Sequence, residues 1–158
     1  MRPVVDPETM RRLFMALEDE AAEYVLIGAV ALDAWGIGRF TEDVDLLVRP
    51  TPANVERVRG ALRRVWDDPE IEDIRAEELG GPYPVIRYVA PDGSLVDLMA
   101  RLGEAFSFDQ VEATELRYGD TRVRVATPRS LFLMKRDTIR PQDKTDAHAL
   151  KERFGLED

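Results

Sequence analysis

Six residues constrain this chain more than any others: Asp43-Val44-Asp45-Leu46-Leu47-Val48. Val44, Leu46 and Val48 alternate with Asp43, Asp45 and Leu47, the period of a strand. Pro50 ends it. Residues two apart on a strand point to the same side. One face therefore buries three aliphatic side chains and makes the strand a rigid base. The other carries two neighbouring carboxylates, which raise each other's pKa unless something positive sits between them. A hard divalent cation such as Mg²⁺ does that, because it prefers carboxylate oxygens and keeps positions open for substrate phosphates. The plainer alternative is an exposed acidic strand start, and the pair alone leaves both open.

The flanking patterns surround this strand with helices and further strands. Residues 7–22 read as a helix, with Asp6 as N-cap, Pro7 at the first position, and Met10, Leu13, Phe14 and Leu17 on one face. Residues 24–27 are a buried strand candidate ended by Gly28, and 29–35 read as a helix closed by Gly36. Thr51 caps a helix over 52–66. The acidic stretch 67–82 reads as a weak strand and a loop. Residues 83–90 and 95–99 make a hairpin about the turn Pro91-Asp92-Gly93, and 115–118 with 122–126 make a second about Gly119-Asp120. Two helices follow, about 128–137 and 142–154, split by Pro141 and ended by Gly155.

This order predicts an α+β fold with a mixed, mostly antiparallel sheet flanked by helices, not a doubly wound parallel sheet. A length of 158 residues predicts one domain over 1–158, its C-terminal helices (about 128–154) packed on the core. The formal net charge of -9 argues against a broad nucleic-acid grip, which needs clustered Lys and Arg, though it leaves room for a local basic groove. The chain has no cysteine, which excludes disulfides and thiolate zinc sites. Its longest apolar stretch, 24–38, is broken by Asp33 and three glycines and does not read as a membrane span. Asp6 and Glu8 precede any apolar run, so no signal peptide is expected and the cytoplasm is the default.

Two further features carry chemistry. Asp97 stands in the apolar stretch Leu95-Val96-Asp97-Leu98-Met99, where an unpaired carboxylate is costly to bury. Either a basic side chain neutralises it, with Arg87 a candidate, or it joins a metal site. On a strand beside Asp43 and Asp45, it would complete three carboxylates able to hold two metals about 3.5–4 Å apart, the spacing used for phosphoryl transfer. Upstream, Gly28 turns a strand into the helix opened by Ala29. That helix start offers backbone N–H groups to a phosphate, or is an ordinary turn. Gly36-Ile37-Gly38 lacks the third glycine of a dinucleotide fingerprint.

Ile27-Gly28-Ala29 through Arg39-Phe40-Thr41-Glu42-Asp43-Val44-Asp45-Leu46, with Asp97 on a later strand, resembles the polymerase beta-like nucleotidyltransferase superfamily. Within it the chain looks most like the AbiEii-type toxins and related small bacterial nucleotidyltransferases. Lys135 and the segment Arg140-Pro141-Gln142-Asp143-Lys144-Thr145-Asp146 are similar to their closing lysine helix and Asp-x-x-Asp helix. The likeness spreads over residues 24–150.

The resemblance implies a nucleotidyltransferase fold and roles for particular residues. Asp43 and Asp45 would be the metal pair and Asp97 the third carboxylate, all three catalytic and ligands of Mg²⁺ or Mn²⁺. Gly28 and Ala29 would contact the triphosphate, Arg39 and Thr41 would bind phosphate from their loop, and Lys135 would reach it from its helix. Ala29 departs from the serine or second glycine of many members, which loses any hydroxyl contact and keeps the backbone N–H. The activity implied is transfer of a nucleoside monophosphate from a nucleoside triphosphate to tRNA, a protein or a small molecule, with a cognate antitoxin as possible partner. A catalytically inactive member that binds nucleotide or a partner is the alternative.

The remaining candidates have plainer readings beside the functional ones. Lys135, Arg136, Arg140 and Lys144 could simply solvate helix faces, and Asp143 and Asp146 could cap the last helix. His148 reads as a surface helix residue. Tyr83 and Trp66 could stack on a base, with core packing the simpler reading for Trp66.

Overall fold

Asp6 accepts a hydrogen bond from the Thr9 amide and Pro7 takes the first helical position, so α1 (Pro7–Asp19) starts where those two residues direct it. The fold is taken from a computed structural model, which describes residues 6–38, 43–82, 84–103 and 106–157. Helix α1 stops at Asp19, short of residue 22, because Ala21 turns into the left-handed region at φ 54° and reverses the chain. The chain then enters β1 (Tyr24–Ile27), buried at all four positions, and α2 (Gly28–Ala34). Next come β2 (Asp43–Val48) and α3 (Pro52–Val65), the latter capped by the Thr51 hydroxyl, which accepts from the Asn54 amide.

The acidic stretch 67–82 holds no strand among its described residues. It forms a 3-10 turn (Pro69–Asp73) and a short helix α4 (Ala76–Leu79). Ile71, Ile74 and Leu79 are buried, the first two spaced by one 3-10 turn and the third at the end of α4. The intervening acids stay at the surface, a pattern that strand alternation cannot produce. The hairpin of β3 (Val85–Val89) and β4 (Leu95–Met99) follows, then the two-residue strands β5 (Arg101–Leu102) and β6 (Phe106–Ser107). A second hairpin, β7 (Ala113–Tyr118) and β8 (Thr121–Ala126), leads to α5 (Pro128–Lys135) and α6 (Pro141–Phe154). Gly155 ends α6 at φ 62°, a conformation that costs glycine little.

The main sheet runs β3-β4-β2-β1-β8-β7. The pairs β1–β2, β3–β4 and β7–β8 are antiparallel, whereas β2–β4 and β1–β8 are parallel. The architecture is thus the expected α+β one, a mixed and mostly antiparallel sheet with helices against it. Leu13, Phe14 and Leu17 of α1, Leu26 of β1, Leu46 of β2, Leu62 of α3 and Leu98 of β4 share one buried core. Among the described residues no helix is long and apolar enough to cross a membrane.

Candidate active site

The central strands bring the carboxylates together. In the parallel pair β2–β4, Asp45 stands opposite Asp97, and Asp43 precedes Asp45 by two residues on the same face. Val44, Leu46, Val96 and Leu98 alternate with them and are fully buried, which anchors both strands. One oxygen of each of Asp43, Asp45 and Asp97 lies within 4.8 Å of the others. Asp97 is only 8% exposed, while Asp43 and Asp45 are half-buried. Three hard oxygen donors converging on one point suit Mg²⁺ or Mn²⁺.

Gly28 stands where β1 passes into α2, with its neighbour Ile27 opposite Asp45 across the sheet. Its φ is +74°, and a Cβ added there would lie 2.1 Å from Asp45 Oδ2. A glycine is needed here for a reason the sequence did not suggest: the residue it admits so closely is the Asp45 carboxylate.

Arg87 supplies the positive charge. On β3 it stands opposite Asp97, and its Nε and Nη2 donate to Asp97 Oδ1 and Oδ2 at 2.8 and 2.9 Å. The same Nη2 donates to Asp43 Oδ2 at 3.0 Å. The hydrogen bonding to Asp97, and then the charges of Asp97 and Asp43, hold the guanidinium above its ordinary pKa. Asp45 has no such bond to Arg87. Burial first, then the charges of Asp97 and Asp43 and a hydrogen bond with Asp97, push its carboxyl up to about 7, against a smaller opposing pull from Arg87. The two readings of Asp97 are therefore compatible: it is ion-paired to Arg87 and belongs to the acidic cluster.

The C-terminal helices add a second charged group. Lys135 Nζ donates to Asp143 Oδ1 at 3.2 Å and to Asp146 Oδ2 at 3.0 Å. Gln142 Nε2 donates to Asp146 Oδ1, and the Thr138 hydroxyl donates to Asp143 Oδ2. Burial alone would push Asp143 up, but the Thr138 bond and the charge of Lys135 hold it below the ordinary carboxylate range. Asp146 is 3% exposed. Neither aspartate caps a helix, because the N-cap of α6 is Arg140 and no side-chain bond closes that end. The two carboxylates tie α6 to the end of α5 instead.

A cleft of about 550 Å³ joins the two groups, lined among others by Gly28, Asp45, Asp97, Lys135, Arg140 and Asp143. Met99, Leu102, Phe106 and Met134 give it an apolar side. Ala29 is half-buried in α2 and does not line it. Lys144 and His148 are exposed on α6 away from it. Trp66 is buried, packs on Tyr88 and donates its indole N–H to Asp92, as core packing requires. Arg39, Thr41 and Tyr83 lie outside the described residues. The sequence pattern missed the apolar side, since two-residue strands such as β5 and β6 are too short to show a period.

The model of one protein family, described as "Nucleotidyl transferase AbiEii toxin, Type IV TA system", matches residues 10–155. No curated protein matches the chain.

Proposed function

We propose a metal-dependent transfer for this chain, which belongs to the AbiEii nucleotidyltransferase toxin family: a nucleoside monophosphate passes from a nucleoside triphosphate to a hydroxyl or phosphate acceptor. The observation that carries this reading is the convergence of Asp43, Asp45 and Asp97, of which Asp45 and Asp97 line the cleft. Three carboxylates gathered this closely are stable when a divalent cation neutralises them. When bound, Mg²⁺ or Mn²⁺ supplies charge neutralisation at the α-phosphate and lowers the pKa of an attacking hydroxyl.

The chain's own residues do the positioning. Asp43 and Asp45, fixed on the rigid strand β2, would hold the cation. Asp97, the most buried of the three, completes the ligand set or takes the acceptor's proton. The acceptor oxygen forms its bond to the α-phosphorus as the bond to pyrophosphate breaks, and pyrophosphate leaves. Lys135 has three N–H donors and spends two on Asp143 and Asp146, so one remains for the triphosphate. Arg140 adds an exposed cation at the same cleft. Gly28 allows Asp45 its place, and the backbone N–H of Ala29 opens the helix beside it. Arg39 and Thr41 belong to this reading as phosphate contacts from the segment before β2. Met99, Leu102, Phe106 and Met134 suit the flat apolar faces of a nucleobase.

The acceptor is tRNA, a protein or a small molecule, the family suggests a cognate antitoxin, and the proposed location is the cytoplasm. The test is incubation with each labelled triphosphate, Mg²⁺ and a cell extract, with Asp45→Asn in parallel. Label should enter one class of molecule with the wild type and fall by orders of magnitude with the variant. Equal labelling by both overturns transfer and leaves the alternative, a member that binds nucleotide or a partner without catalysis.

A further inference from the structure

We infer that Arg87 stands in for the divalent cation in the metal-free protein, and that it must release the carboxylates before the cation binds. The inference rests on the reading of Asp43, Asp45 and Asp97 as a metal site and goes beyond it to how that site is kept and entered.

The geometry is specific. A guanidinium can serve two carboxylates at once because its donors lie in a rigid planar fork. Arg87 uses that fork on both edges. Nε and Nη2 grip the two oxygens of Asp97, and Nη2 also reaches Asp43. Two of the three aspartates therefore have oxygens directed at one nitrogen of Arg87. Both oxygens of Asp97 are engaged, so whichever of them it contributes to the cluster, whose ligand atoms lie within 4.8 Å of one another, is already held by Arg87. A cation bound by all three aspartates would compete with the guanidinium for them. Both cannot hold the same lone pairs, and two positive centres that close repel.

Arg87 is also free to leave. Its side chain is 54% exposed, whereas that of Asp97 is 11% exposed. It lies on β3, which ends the main sheet among the described residues. Val85 and Val89, its neighbours on the same face, are each 52% exposed. The guanidinium can swing to solvent without disturbing the core. In the metal-free state it offsets the repulsion that would otherwise fall on the buried Asp97. Arg87 thus keeps the empty site assembled and lowers its affinity for metal in the same act.

The test is Mn²⁺ binding to the whole chain, read from the loss of the free-ion electron paramagnetic resonance signal at mildly alkaline pH without nucleotide. Arg87→Gln removes the competing charge, and Arg87→Lys keeps a charge but loses the fork. Arg87→Gln should bind Mn²⁺ about tenfold tighter than wild type, equivalent to about 1.4 kcal/mol. Arg87→Lys should lie between them. Melting temperature gives a second readout. Without metal Arg87→Gln should melt below the wild type, and Mn²⁺ should raise its melting point by more. Equal or weaker binding in Arg87→Gln, beside clear binding in the wild type, overturns the inference and leaves the metal site standing. Equal tightening in the lysine and glutamine variants also overturns it, because charge would then not be the cause. No Mn²⁺ binding to any of the three overturns both this inference and the metal site on which it rests.

Discussion

The Cα of Gly28 faces Asp45 so closely that a Cβ there would sit 2.1 Å from the carboxylate Oδ2. The Asp45 side chain thus occupies space at the end of β1 that a side chain on residue 28 would take. Gly28→Ala is expected to act in two ways. Its φ of +74° costs a non-glycine residue about 1–2 kcal/mol. The added methyl also drives the Asp45 carboxyl away from Asp97, because a side-chain end yields more readily than two central strands. A modest fall in melting temperature with a much larger loss of Mn²⁺ binding is the expected pair of results. Unchanged Mn²⁺ binding in a folded Gly28→Ala protein would show that the position of Asp45 does not depend on this contact.

Asp45 also makes a prediction about pH. Its carboxyl is pushed up to about 7 from an ordinary value of 3.8, by burial first and then by Asp97 and Asp43. Between those two values the folded state holds a proton that the unfolded state has lost. The contribution of Asp45 to stability therefore falls as pH rises through that window and levels off above it. Asp45→Asn carries no such charge at any pH. Its melting temperature relative to the wild type should climb from mildly acid pH to neutrality and then stay flat. Comparing the two proteins removes the opposite trend of carboxylates such as Asp143, held low by its partners. A constant difference across the range would mean that Asp45 is ionised throughout.

The carboxylates were legible in the sequence because strand alternation states which side chains share a face. Asp43 and Asp45 needed only their own strand, and Asp97 needed only an apolar strand unlikely to tolerate it unpaired. That β4 lies parallel to β2, with Asp97 opposite Asp45, is a tertiary fact no local period contains. Arg87 was legible as a partner for Asp97, but not as a bridge to Asp43, which depends on both registers at once. The cap offered as the plain reading of the α6 aspartates rested on position alone, since a carboxylate near a helix start fits that role. Their true partner, Lys135, comes from another helix. In 67–82 the many acidic residues hid the one-turn spacing of Ile71 and Ile74.

Asn54 gives a prediction outside the site. It is 1% exposed, accepts from the Glu23 amide at 2.7 Å and donates to the carbonyls of Glu23 and Arg49 at 2.9 Å each. One side chain thus joins the approach to β1, the exit of β2 and the first turn of α3. Asn54→Ala leaves those backbone groups to find other partners, and stability should drop by about 1–3 kcal/mol. Mn²⁺ binding by the folded protein should stay at the wild-type level, as Asn54 touches none of the three aspartates. Urea denaturation and Mn²⁺ titration on the same preparation check both statements, and a loss of metal binding in the folded variant would contradict the second.

Lys135 and Asp146 form the pair whose loss should be most damaging, and the two single variants should differ. Lys135→Ala removes the cation between Asp143 and Asp146, and with it the 3.0 Å ion pair of Asp146, which is 3% exposed. Breaking a buried pair in this way costs about 3–5 kcal/mol. Asp146→Asn is milder, since the amide oxygen can still accept from Lys135 and Asp143 still neutralises it. A loss of about 1.5–3 kcal/mol is expected for the weakened charged bond, above the roughly 1 kcal/mol of a helix cap. The double variant should cost less than the sum of the two, because each single variant already breaks the same ion pair. Urea denaturation of the four proteins gives the coupling energy directly. Additive losses would mean that Lys135 and Asp146 do not act as a pair, and α6 would then owe its place on α5 to Ala147 and Leu150 in the core.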